Sequence, residues 1–223
     1  MDKDYYNQYW EERINEMEMN KNLNKSSLKR IVPIKSLLPS NKSLGKVLDV
    51  GCGDGTILYM LQKDYEIEPY GIDISINAMN KAKERGIKTK ISNLNQEIPF
   101  PENYFNTILC TDVLEHLFSP ENALQEIYRV SKEDALIIFS IPNFGHLKNR
   151  IQFLLGKNIT EPPFQVKSHI RFWNQKSFVK LLKKNGFIME KSTSVRGNTL
   201  LYKLWKNESL FSNYMYIKAK KDI

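Results

Sequence analysis

Cysteine is nearly missing from this 223-residue chain: Cys52 and Cys110 are the only two, and neither belongs to a C-x-x-C pair. A disulfide framework, a zinc knuckle and a dithiol redox motif therefore find no support. Long apolar runs are absent too. None approaches the roughly 18–20 residues that cross a bilayer, so no membrane span is expected. The start, Met1-Asp2-Lys3-Asp4, is polar and acidic and leads into aromatics. It lacks the basic-then-apolar layout of a secretory signal, and a cytoplasmic location is expected. No internal repeat or long low-complexity tract is present, although residues 21–30 are polar enough to read as a mobile linker.

Lysine is what the chain has in excess. The net charge is +8, and only seven of the 33 basic residues are arginine. The lysines are spread along the whole length, which reads as composition rather than as a nucleic-acid footprint, and no nucleic-acid partner is expected. A hydrophobic content of 41% with 26% charged residues suits a globular protein. The length suits one core carrying an insertion.

From Lys46 onward, apolar runs of four to seven residues alternate with amphipathic stretches, as in a βαβα chain with a buried parallel sheet. Strands are predicted at 47–50, 67–72, 87–91, 105–110 and 135–141, with helices at 56–63, 75–85 and 120–130. Ser75 is placed to cap the second of these helices. The pattern breaks over 142–173 into prolines, aromatics and basic residues, which reads as an insertion over the active face. A helix at 175–184 and closing strands at 187–195 and 214–219 follow. Ahead of the sheet, 5–19 and 28–38 read as helical, and Pro33 predicts a kink or a late start. The division is an N-terminal helical lid, 1–40, and a core domain, 41–223.

The most informative segment is Val47-Leu48-Asp49-Val50-Gly51-Cys52-Gly53-Asp54-Gly55-Thr56, a buried strand running into a glycine-rich turn and a helix. Glycines there let the backbone approach a ligand. Asp73 ends the second strand 22 residues after Gly51. A carboxylate at that spacing can accept both hydroxyls of a ribose. Thr56 stands where a dinucleotide loop has its third glycine, and Asp54 would repel a pyrophosphate. A nucleoside with a cationic end fits these acids better.

These residues resemble the class I S-adenosylmethionine-dependent methyltransferases, whose first motif is similar to Leu48–Gly55. Asp73 matches that family's ribose-binding acid, with Ile74 beside it, and Ser92-Asn93-Leu94 lies where its adenine contacts fall. Asn93 departs from the commoner aspartate. Pro99–Ile108 and Asp112–Leu117 extend the resemblance across roughly 44–142. It implies an α/β, doubly wound, Rossmann-like seven-stranded sheet, mostly parallel with an antiparallel last strand, and S-adenosyl-L-methionine as cofactor. It also implies cofactor contacts from Asp49, Gly51, Cys52, Gly53, Asp73, Ile74, Asn93, Leu94 and Thr111. Cys52 reads as a packing residue rather than a nucleophile.

For the acceptor, 141–146 and 169–173 are similar to methionine-biosynthesis W-type proteins, quinone O-methyltransferase relatives and surface-glycan enzymes. The expectation is O-methylation of a small-molecule or sugar-linked acceptor. The alternatives are an RNA-modifying enzyme and a cofactor-binding regulatory partner of another enzyme. Methyl transfer from a sulfonium is mainly a matter of positioning, and a hydroxyl acceptor benefits from a base. His116 and His146 are the base candidates, and His169 and Arg171 the acceptor contacts. Tyr5, Tyr6, Tyr9, Trp10, Phe144, Phe172 and Trp173 are available to wall a pocket. Asp112, Glu115 and His116 are spaced i, i+3, i+4, so a helical turn would align them for magnesium or manganese, with His146 as a fourth ligand. That is similar to the E-x-x-E-H arrangement of some metal-dependent methyltransferases. Metal-free relatives keep the same Leu-Glu-His segment, and no metal is expected.

Overall fold

The β-branched and aliphatic runs go where water cannot: Val47, Leu48, Val50, Ile72, Ile108, Leu109, Ile137 and Ile138 are fully buried. Continuous apolar strands of this kind are buried on both faces, as a parallel sheet covered by helices requires. The structure is a computed structural model and describes residues 3–19, 25–40, 43–157, 169–196 and 208–223. Helices α1 (Lys3–Met19) and α2 (Lys25–Leu37) precede the sheet. Strand β1 (Ser43–Val50), helix α3 (Thr56–Leu61), β2 (Glu66–Asp73), α4 (Ile76–Glu84), β3 (Lys88–Ile91) and β4 (Phe105–Thr111) follow. Next come a 3₁₀ turn (Leu114–His116), α5 (Pro120–Val130), β5 (Ser131–Pro142), α6 (Leu147–Leu154) and α7 (Gln175–Lys184). The chain closes with β6 (Phe187–Arg196), a short α8 (Glu208–Phe211) and β7 (Ser212–Lys221).

The sheet order is β3-β2-β1-β4-β5-β7-β6. Neighbours are parallel except that β7 runs antiparallel between β5 and β6. This is the Rossmann-like, doubly wound α/β fold, with the last strand in sequence reversed. Strand order turns round at β1 and β4, and in such sheets the crevice at the carboxyl ends beside that point is where ligands bind. Two apolar layers flank the sheet. One holds Leu48, Ile72, Leu124, Ile127, Phe139 and Phe178, covered by α5 and α7. The other holds Ile34, Val47, Leu58, Leu61, Leu109 and Tyr216, covered by α2, α3 and α4.

Most elements fall within one or two residues of their predicted spans, and the departures have physical causes. β1 starts at Ser43 rather than Val47 because a register irregularity between Ser43 and Gly45 lets polar residues pair with β2. Gly45 takes φ +62° there, and a Cβ would meet the Asn106 side chain at 2.7 Å. β5 begins at Ser131 rather than Ala135, where a similar shift lets Ser131 pair with Phe105. Ser75 caps α4 as the sequence predicts, its hydroxyl accepting from the Ala78 N–H at 3.3 Å. The linker reading of 21–30 fails over its second part. Residues 25–30 are helical, and residues 21–24 lie outside the described residues.

Nor does α2 start late. It runs through Pro33, eight residues past its first position, because burial of Ile31, Ile34 and Leu37 against α3 and the sheet outweighs the lost hydrogen bond. α2 is therefore part of the core. Replacing Ile34, fully buried, with alanine should cost about 2–4 kcal/mol. Urea denaturation checks this: a change below about 1 kcal/mol, the range of a surface substitution, would show α2 to be dispensable.

Candidate functional site

The turn after β1 is shaped by left-handed backbone. Gly51 and Gly53 have φ +71° and +53°, a region that side chains rarely adopt. The Gly51 and Cys52 N–H groups both donate to the Ile72 carbonyl, at 2.8 and 3.0 Å, which hooks the loop onto β2. A Cβ at Gly51 would meet Val113 at 2.5 Å, and one at Gly53 would meet the Trp10 ring at 2.1 Å. Trp10 of α1 thus lies directly over the loop. Asp73 ends β2 with Oδ2 accepting from the Gly53 N–H at 3.0 Å and Oδ1 from the Ser75 N–H at 2.9 Å. Burial raises its pKa, and these N–H groups pull it back down. Each oxygen keeps a lone pair for a further donor.

Asp49 differs in having no such help. Both of its carboxylate oxygens are buried without a hydrogen-bond partner among the described residues. Its pKa is pushed up to about 8 by burial, against the pull of Arg30 and with help from Asp73 and Asp54. Asp54 is not aimed at a ligand. Its carboxylate takes the Thr56 hydroxyl at 2.8 Å and the Arg85 guanidinium at 2.8 Å. The sequence argument against a phosphate therefore passes from Asp54 to Asp49 and Asp73. Burial pushes the Cys52 thiol well up, so it stays protonated and serves as packing.

A cavity of about 200 Å³ opens at the carboxyl ends of β1, β2 and β4. Gly51, Asp73, Ile74, Leu94 and Thr111 line one part of it. A smaller adjoining cavity holds Asp49, Cys52 and Gly53 with Arg13, Arg30, Tyr9 and Trp10. Asn93 lies on a third, shallower hollow. Its side-chain oxygen accepts from the backbone and amide nitrogens of Asn95, at 3.1 and 3.2 Å, so it is engaged within its own loop.

The other part of the main cavity carries Tyr5, Tyr6, Glu115, His116, His169 and Tyr214. Here the predicted helical turn does not form. Asp112 takes φ +55°, outside the 3₁₀ turn, and is bound by Arg30 at 2.9 Å and the Ser140 hydroxyl at 2.6 Å. His169 joins Glu115 and His116 instead. The Glu115 carbonyl accepts from the Ile170 and Arg171 N–H groups, at 2.9 and 3.1 Å, which draws that segment over the turn. The His169 Nε2 stands 3.9 Å from Glu115 Oε1, and the two imidazole rings are 4.6 Å apart. Glu115 is buried with neither oxygen hydrogen-bonded among the described residues. Burial, then the neighbouring Asp112, raises its pKa well above the carboxylate range. One donor atom from each of Glu115, His116 and His169 lies within 4.8 Å of the others, a set that could hold a divalent cation.

Two candidates lie elsewhere. His146 caps α6, its Nδ1 accepting from the Lys148 N–H at 3.0 Å, and burial with Lys148 lowers its pKa. It does not line the cavity, so it is neither the base nor the fourth ligand there. Arg171 is exposed, donates to the Phe118 carbonyl and also stands outside the cavity wall. Phe144, Phe172 and Trp173 are not on that wall either, whereas Tyr5, Tyr6, Tyr9 and Trp10 are. Arg30 is the residue the sequence reading passes over. The apolar spacing of Ile31, Ile34 and Leu38 around it was the available signal of a helix rather than a linker.

The model of a methyltransferase-domain family matches residues 10–192. Ajmaline N-methyltransferase of Rauvolfia serpentina is 33% identical over 99 residues, 41% of this chain and 34% of that enzyme. The ubiquinone biosynthesis O-methyltransferase of Colwellia psychrerythraea is 24% identical over 76% of this chain and 72% of its own. The chain spans less than half the length of several relatives that it matches. Among solved structures, an S-adenosylmethionine-dependent methyltransferase of Thermotoga maritima superposes with a TM-score of 0.66 at 18% identity, covering 97% of this chain and 98% of that one.

The state of Asp49 has a measurable consequence. Its folded pKa, about 8, lies above the ordinary value of 3.8, so the folded protein holds a proton that the unfolded chain has released. Stability from this group is full below about pH 4 and is lost as pH rises towards 8. Asp49→Asn removes that loss. The melting temperature of the variant relative to the parent should therefore rise between pH 5 and pH 8, as scanning calorimetry would show, and a constant difference would place Asp49 in a solvated or paired setting.

Proposed function

The chain belongs to the methyltransferase-domain family, and from that premise we propose that it methylates an oxygen of a small-molecule or sugar-linked acceptor with S-adenosylmethionine as donor. The observation that carries the donor assignment is the pair of buried carboxylates, Asp49 and Asp73, on either side of the glycine turn. An unpartnered buried carboxylate calls for a cation, and the donor's ammonium answers Asp49. Asp73 retains lone pairs for ribose hydroxyls. Arg30 and Arg13 stand beside Asp49, suited to the donor's own carboxylate. Gly51 and Gly53 let the ligand lie against backbone, with Ile74 and Leu94 offering an apolar wall to a base.

Bound there, the donor supplies an electrophilic methyl carbon whose bond to sulfur breaks as the acceptor oxygen attacks. The residues of the chain must then hold the acceptor in line, exclude water and remove the hydroxyl proton. Tyr5, Tyr6 and Tyr214 enclose the cavity beside His116 and His169. His116 is placed to take the proton, with His169 packed against it and oriented towards Glu115. An acceptor amine arriving as free base would need no such group, which is why oxygen is preferred.

Calorimetry should show binding of S-adenosylmethionine or its demethylated product, and much weaker binding of NAD. Asp73→Ala should weaken that binding by about 1.5–3 kcal/mol, roughly ten- to 150-fold, with the circular dichroism spectrum unchanged. An affinity within about twofold of the parent would remove Asp73 from the ribose contacts.

In this reading transfer proceeds without a metal ion. Asp112, the acid that would complete a ligand set with Glu115 and His116, is committed to Arg30 and Ser140. Turnover with an acceptor should accordingly survive exhaustive chelation. Activity lost to chelator and restored by Mg²⁺ or Mn²⁺ would make Glu115, His116 and His169 metal ligands.

A further inference from the structure

Large apolar side chains are exposed in one place more than any other among the described residues. Four of the five residues from Ile151 to Leu155 are apolar and exposed, Leu154 by 86% and Leu155 by 65%. Phe118, Ile170 and Phe172 are exposed as well, and they belong to the same surface. Phe144 packs on Phe153 at 5.4 Å and on Phe172 at 5.3 Å, and its N–H donates to the Trp173 carbonyl, so α6 and residues 170–173 are held side by side. Arg171 binds the Phe118 carbonyl and closes the group. The patch flanks the acceptor end of the cavity, since Ile170 follows His169 and Phe118 lies two residues past His116.

Charge decides what such a surface can meet. Residues 143–157 and 169–176 contain Lys148, Arg150, Lys157, Arg171 and Lys176, all exposed, and no carboxylate. Exposed apolar residues among cations of one sign suit a lipid surface that is negatively charged: the apolar side chains enter the acyl boundary while the cations stay with the headgroups. A nucleic acid would use the cations and leave the leucines and phenylalanine of α6 in water.

We propose that α6 and the 170–173 segment dock the protein on an anionic lipid bilayer, with the acceptor end of the cavity beside the membrane. No helix among the described residues is long and apolar enough to cross a membrane, so the contact is peripheral. The proposal concerns this surface alone and does not depend on which group is methylated.

Sedimentation with vesicles tests it. The full-length protein should bind vesicles of 70% phosphatidylcholine and 30% phosphatidylglycerol at least tenfold more tightly than pure phosphatidylcholine. The preference should shrink at high salt. The double substitution Phe153→Glu, Leu154→Glu should lower that binding at least tenfold, and Lys157→Gln with Lys176→Gln should lower it mainly on the anionic vesicles. Unchanged calorimetric binding of S-adenosylmethionine and an unchanged melting curve would certify that these surface variants are folded. Equal binding to both vesicle types would overturn the proposal, as would glutamate variants that sediment like the parent. So would vesicles left unbound while the same substitutions dissociate a dimer or abolish binding to an oligonucleotide.

Discussion

Taking an ionised carboxylate out of water without a partner costs several kcal/mol, and Asp49 stands in that position at the carboxyl end of β1. The protein answers by letting the group keep its proton up to about pH 8 and by leaving its oxygens facing a small cavity. A bound cation repays that cost in a way that no residue of the chain does. Other features follow from the same need. The glycine turn must bend away to leave the space open, α2 must bring Arg30 close enough to balance the acids, and Trp10 must cover the opening.

Arg30 ties the two halves of the cavity together. It faces Asp49 on the donor side and binds Asp112 on the acceptor side. Asp112 in turn accepts from Ser140 of β5, in a left-handed backbone conformation that a non-glycine residue adopts only under constraint. The turn that follows is thereby detached from Asp112, which frees Glu115 and His116 to meet His169. The charge arrangement on one side thus sets the geometry of the base candidates on the other.

The acceptor side differs in kind from the donor side. Donor recognition rests on the ends of buried parallel strands, which a full core holds in register. The acceptor end rests on α1 and on the segment around His169, joined to the core by a few hydrogen bonds to the Glu115 carbonyl and by aromatic contacts. Such a division lets one rigid site serve many acceptors. It fits the mixture of N- and O-methyltransferases among the relatives.

Strand order, the glycine turn and Asp73 were legible in the sequence because each leaves a local trace: an apolar run, a glycine spacing, an acid at a set distance. Asp49 was legible as a ligand candidate, but its lack of a partner was not, because that depends on what α2 and the loop place around it. The spacing of Asp112, Glu115 and His116 suggested one helical face, and Arg30, 82 residues away in sequence, overrode it by claiming Asp112. His146 and His169 looked alike as histidines after strand ends. Only packing sent one to cap α6 and the other to Glu115. Short-range periodicity and turn chemistry determined the fold and the donor loop, whereas pairing between charges far apart in the chain decided the acceptor side, since an ion pair carries no signature in the sequence around either partner.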